Sequence, residues 1–206
     1  MKLLILILCI LPAPLFAHTG HDALGFSNGF THPVFGLDHL LAMLSVGILS
    51  AQMGGRAIWT VPLTFVSFML VGGIFGMLGV PFFSVEIAIA ASVLALGLAI
   101  AIDKRFPMAI TMSGVAFFAL FHGHAHGEEM PGSAQPALYA LGFVLGTTVI
   151  HLSGVLLGWL AIRQPRHSLL LRASGVAIAV VGAYFLSQAC LPATPSCSSP
   201  LTSCTH

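Results

Sequence analysis

The chain has 206 residues, of which 57% are hydrophobic and only 6% charged, with a net charge of +1. A soluble domain carries about a quarter charged residues, and seven Lys and Arg with six Asp and Glu cannot coat a globule of this size. These numbers exclude a soluble enzyme and a disordered chain, and the missing basic field argues against nucleic acid as a partner. What remains is an integral membrane protein embedded in lipid. Its ten histidines outnumber Lys and Arg together, which points to metal or proton chemistry.

Residues 1–17 read as a secretory signal peptide. Lys2 is a short basic start, residues 3–11 form an apolar run too short to span, Pro12 and Pro14 break it, and Ala17 precedes the expected cut. Cleavage would leave His18 as the new terminus. The segment His18-Thr19-Gly20-His21-Asp22 then offers an amine, two imidazoles and a carboxylate for capturing a cation.

Six apolar stretches follow, at 33–51, 57–79, 84–102, 107–124, 136–162 and 168–190. Each is long enough for a helix crossing ~30 Å of hydrocarbon at ~1.5 Å per residue. None alternates as a barrel strand would. The expected fold is therefore an all-α membrane protein, with a six-helix domain over 18–190 and a Cys- and Pro-rich tail over 191–206. Gly142-x-x-x-Gly146 predicts a close helix contact.

The cations fix an orientation. Arg56, Lys104, Arg105, Arg163, Arg166 and Arg172 all fall on links at one side. The positive-inside rule makes that side cytoplasmic. Both termini are then expected outside, in the periplasm of a bacterial inner membrane, which agrees with a signal peptide. Cys190, Cys197 and Cys204 lie in or beside the exported tail, where one disulfide can form and leave one thiol over.

Polar residues at membrane depth are costly and mark function. The first stretch opens His32-Pro33-Val34-Phe35-Gly36-Leu37-Asp38-His39. With Pro33 at the first helical position, His32 and His39 would lie two turns apart on one face. Asp38 would either ligate a metal directly or hold the tautomer of His39. The fourth stretch ends His122-Gly123-His124-Ala125-His126-Gly127-Glu128-Glu129. His122 and His126 have the i, i+4 spacing of a chelating pair. His124 points elsewhere if the helix continues, and Gly123 and Gly127 permit it to unwind. His151 sits near the middle of the fifth stretch and is a candidate ligand or gate. Glu86 opens the third at the outer side. Met43 follows His39 by one turn and reads as packing.

Taken together, His32-Pro33-x-x-Gly36-x-Asp38-His39 followed by Leu41-Ala42-Met43, and Phe121-His122-Gly123-x-Ala125-His126-Gly127-x-Glu129, resemble the HupE/UreJ family. His151 with Gly154 extends the likeness, which covers essentially the whole mature chain. The resemblance implies a secondary nickel or cobalt permease serving hydrogenase or urease maturation, not an enzyme. It implies a metal role for His32, Asp38, His39, His122, His126 and Glu129, with His18, His21, Glu86, His124, Glu128 and His151 as secondary candidates. Imidazole-rich, oxygen-assisted ligation suits Ni²⁺, Co²⁺, Zn²⁺ or Cu²⁺ better than Mg²⁺ or Ca²⁺. The ion is cargo, and no prosthetic group is expected.

Two other classes use the same residue types. An intramembrane zinc hydrolase would need three ligands, an open position for water and a substrate groove. A metal-binding accessory protein would need a cytoplasmic output surface, and the cytoplasmic links are only a few residues long. An ATP-driven pump is excluded: the mature chain's single Lys, Lys104, follows Asp103, so no phosphate-binding Gly-Lys exists. Oligomeric state stays open at this stage.

Overall fold

A computed structural model describes residues 21–104, 106–130, 132, 135–163 and 165–191. Residues 1–17, expected as a signal peptide, and His18, Cys197 and Cys204 lie outside these residues. Among the described residues the fold is all helical. In chain order the helices are α1 (His21–Phe35), α2 (Leu37–Met53), α3 (Ala57–Met77), α4 (Val85–Ile102), α5 (Met108–Glu128), α6 (Pro136–Ile162) and α7 (Pro165–Cys190).

The helices from α3 onward are each long and apolar enough to cross a membrane, over Leu169–Cys190 in the case of α7. Their outward faces carry Leu63, Leu70 and Ile74 on α3, Val149, Leu152 and Leu156 on α6, and Val176 and Val180 on α7, all exposed. An apolar belt of this extent belongs in lipid rather than water.

The first predicted stretch needs correction. It does not begin at Pro33 as one straight helix. Residues 25–35 and 37–53 form a pair bent by 82°, which makes a further span only if the two halves are counted as one. Pro33 lies inside α1, where it lacks an N–H and crowds the preceding turn. Gly36 then takes an extended conformation, with φ −87 and ψ 110. Near the place of a Cβ on Gly36 sit His39 Nδ1 at 3.0 Å and Asp38 Oδ1 at 3.2 Å, so a larger residue would push into both. His32 and His39 therefore approach His126 from two helices rather than along one face. Asp38 lies in the first turn of α2.

Small residues set the helix pairs. Both halves of the broken pair run alongside α6: a Cβ on Gly142 or Gly146 would run into the carbonyls of Phe26 or Phe30, as the Gly-x-x-x-Gly spacing predicts. The same reciprocity joins α3 to α5. Gly72 and Gly76 meet the carbonyls of Leu120 and His124, while Gly123 and Gly127 meet those of Met69 and Gly73. Gly97 on α4 and Gly175 on α7 make a third such contact. Between the pairs lies a core of Ala42, Met43, Val46, Val61, Phe65 and Ile100. Met43 is part of that packing, as expected.

Helix α5 also departs from expectation. It does not unwind at Gly123 or Gly127 but continues through Glu128. The glycines serve contact with α3 instead. Consequently His122, His124 and His126 occupy alternate positions of one continuous helix end, and Glu128 is helical.

Candidate functional site

The N-termini of α2 and α4 and the C-termini of α1, α5 and α7 meet at one end of the bundle. They enclose a cavity of about 600 Å³ lined by His32, Asp38, His39, Glu86, His126, Glu128, Glu129 and Gln188. The cations Arg56, Lys104 and Arg163 follow helices that end at the opposite pole. There Arg163 stacks over Trp159 at 3.8 Å, an arrangement suited to a membrane–water boundary.

The carboxylates orient the imidazoles. Asp38 Oδ1 accepts the backbone N–H of His39 at 2.8 Å and lies 2.9 Å from its Nδ1. A carboxylate only accepts, so Nδ1 carries the proton and Nε2 keeps its lone pair. Of the two roles left open for Asp38, this geometry matches the carboxylate that fixes a histidine tautomer. The carboxylate still faces the cavity, with about a third of the side chain exposed. His122 is set in the same way: its Nδ1 lies 3.0 Å from the Phe118 carbonyl, which leaves Nε2 as the free lone pair.

These rings converge. His126 stands 4.8 Å from His32 and 4.4 Å from His39, and His39 stands 5.1 Å from His122, all between ring centroids. His32 Nε2 donates to Glu129 Oε2 at 2.9 Å. One ligand atom each from His32, His126 and Glu129 lie within 4.8 Å of one another, close enough to share an ion after small adjustment. Among the described residues, His39 Nε2, His122 Nε2 and both nitrogens of His126 are buried without a hydrogen-bond partner. An unmet buried polar atom costs about 1–3 kcal/mol. Several such atoms around one space make it a candidate cation site.

The predicted candidates thus separate. His32, Asp38, His39, His126 and Glu129 meet at the cavity, with Glu86 and Glu128 on its wall. His122 sits deeper, against His39. His124 turns away, as its spacing implies: Nε2 donates to the Val80 carbonyl at 2.7 Å, and the ring stacks on Phe82 at 4.3 Å with 13° between planes. Its Nδ1 lies 3.4 Å from Glu128. His151 is buried further along α6, away from the cavity lining. His21 opens α1, and its side chain lies outside the described residues. Cys190 ends α7, exposed. Sequence reasoning passed over Tyr139, 6.1 Å from His32, and Phe65, which touches both His122 and His151.

The division between His124 and His126 is testable. His126→Ala is expected to weaken Ni²⁺ binding to the purified protein by about tenfold or more, the usual effect of losing a ligand or its support. His124→Ala removes a packed, hydrogen-bonded ring. It should lower the melting temperature and leave that affinity nearly unchanged. Equal losses of affinity would place His124 in the site.

No solved structure matches the chain. In sequence it is 39% identical to Protein HupE of Rhizobium leguminosarum bv. viciae over 176 residues, covering 85% of this chain and 92% of that protein. The family model described as HupE / UreJ protein matches residues 6–185, a stretch that contains both histidine motifs and all the cavity-lining helices up to Phe185 of α7. The chain therefore belongs to the HupE/UreJ family.

Proposed function

We propose that the protein is a secondary transporter that takes up divalent transition-metal ions, Ni²⁺ and also Co²⁺, across the bacterial inner membrane for metalloenzyme maturation. The observation that carries this reading is the open cavity whose floor consists of buried, unpartnered imidazole nitrogens and whose rim carries carboxylates. His32 and Glu129 receive the ion at the mouth. His39 and His126 bind it below, Asp38 orients His39 and supplies charge, and His122 takes it deeper. In this reading α1 and α2 together complete the sixth span, and the signal peptide over 1–17 is removed.

The proposed orientation puts the cavity and both termini in the periplasm, because the cationic links lie at the other pole. A negative interior then favours inward movement by ~2.3 kcal/mol per charge per 100 mV, or about 4.6 for two charges. A reporter that works only in the cytoplasm, fused after His206, should stay silent. Strong activity would reverse the direction of transport assigned here.

Uptake itself is tested by elemental analysis of cells expressing the chain, across Ni²⁺, Co²⁺, Zn²⁺ and Mg²⁺. Nickel is expected to accumulate and magnesium not. Acid should inhibit, because a protonated imidazole has no lone pair for a metal. Removing both His18 and His21 should weaken uptake only at low metal concentration. If no metal accumulates and the purified protein instead hydrolyses lipid or peptide, the intramembrane hydrolase is the correct reading.

A further inference from the structure

Besides His124, the buried His151 is not used by the cavity. His151 lies about 22 Å along α6 from its outer end at ~1.5 Å per residue, and is 1% exposed. Among the described residues neither of its ring nitrogens has a hydrogen-bond partner. A purely structural histidine at this depth would be expected to satisfy at least one of them. Its neighbours supply further donors. Thr147, one turn outward on the same face of α6, is fully buried, and its hydroxyl donates to the Met69 thioether at 3.9 Å. Met69 is in turn one helical turn outward of Phe65 on α3.

Phe65 touches both this place and the deep end of the outer site. Its ring stands 5.4 Å from His122 and 5.1 Å from His151, T-shaped to each. It also borders an apolar cavity of about 220 Å³, formed with Val46, Leu49, Leu96 and Phe118. That space offers room for the ring to turn away from the two imidazoles. An apolar ring packed against two polar stations can hinder a hydrated ion passing from one to the other, as hydrophobic constrictions do in channels.

We propose that His151 is an inner binding station for the divalent transition-metal ion, reached from His122 when the Phe65 ring swings aside. The proposal rests on the transport reading of the outer cavity and adds a second site to it. Two stations separated by a movable apolar barrier let an ion be held firmly outside and still leave inward. One tight site open to both sides would not, since conduction needs binding weak or divided enough for release. Imidazole, thioether and hydroxyl donors suit Ni²⁺ or Co²⁺ and suit Mg²⁺ poorly.

The test uses the full chain purified in detergent, with Ni²⁺ affinity from calorimetric titration, and proteoliposomes of the same preparation for Ni²⁺ uptake. His151→Ala is expected to leave the affinity of the outer site within about twofold, while uptake falls about tenfold or more. His151→Cys restores a metal ligand and should recover uptake. His151→Gln retains bulk and hydrogen bonding but ligates poorly, and should not. Uptake by His151→Gln or His151→Ala close to that of the parent protein overturns the inner station. So does loss of outer-site affinity in His151→Ala, which would merge the two sites into one. Failure of the underlying reading has a separate sign: the unaltered protein would bind no Ni²⁺ in the titration, and both assignments would fall.

Discussion

Asp38→Asn is expected to abolish nickel uptake while the protein still accumulates in the membrane. The variant keeps the atom that matters for local structure. Asp38 Oδ1 receives both the His39 backbone N–H and its Nδ1, and an asparagine oxygen can accept the same two donors. The start of α2 and the direction of the His39 ring should therefore survive. What disappears is the negative charge. A divalent ion that leaves water for a cavity floored by neutral imidazoles needs counter-charge. Removing one partner of a buried pair costs about 3 kcal/mol or more. Asp38 is about a third exposed, so solvent recovers part of that cost. Even about 2.8 kcal/mol lowers ion occupancy roughly a hundredfold. Glu129 has more than half of its side chain exposed, and Glu129→Gln should cost less. The measurement is cellular nickel by elemental analysis, normalised to protein in the membrane fraction. Near-normal uptake at normal protein level would make the Asp38–His39 pair structural and the site assignment wrong.

The candidate ligands were legible in the sequence for a simple reason. In a chain with so few charges, every His, Asp and Glu inside an apolar stretch is conspicuous. The i, i+4 spacing of His122 and His126 then placed both on one face, and both do turn toward His39. Three features were not legible, and each depends on a partner distant in sequence. Pro33 at a helix start and Pro33 before a break fit the local residues equally well. The break is decided by α1 lying against Gly142 and Gly146 of α6. Gly123 and Gly127 read locally as helix breakers, because Gly is costly in a helix interior. Their helix is held by the close approach of α3, which no local pattern reveals. Phe65 is one phenylalanine among fifteen. It becomes significant only because two helices each bring an imidazole against its ring.

That contact between α3 and α5 gives the second large effect. Gly123→Ala adds one methyl group, and its carbon would run into the Met69 carbonyl, with Gly73 N also inside 3.0 Å. Backbone cannot step aside as a flexible side chain can, so the two helices must separate. Overpacking a tight interface costs ~1–3 kcal/mol, and rigid backbone on both sides puts this case at the upper end. Gly114 lies on the same helix with nothing within 4 Å of its place for a Cβ. There the same change is expected to stabilise, by roughly 0.5–1 kcal/mol, through helix propensity alone. One chemical substitution on one helix should thus act with opposite sign at two positions. The effect also reaches the site, because Gly123 lies between His122 and His124. Pushing α5 away from α3 moves His122 and His126 relative to His39, so uptake should fall along with thermal stability in detergent. If Gly123→Ala melts as high as Gly114→Ala and transports as well, the glycine contact does not hold α5 in place, and the positions of its histidines have another cause.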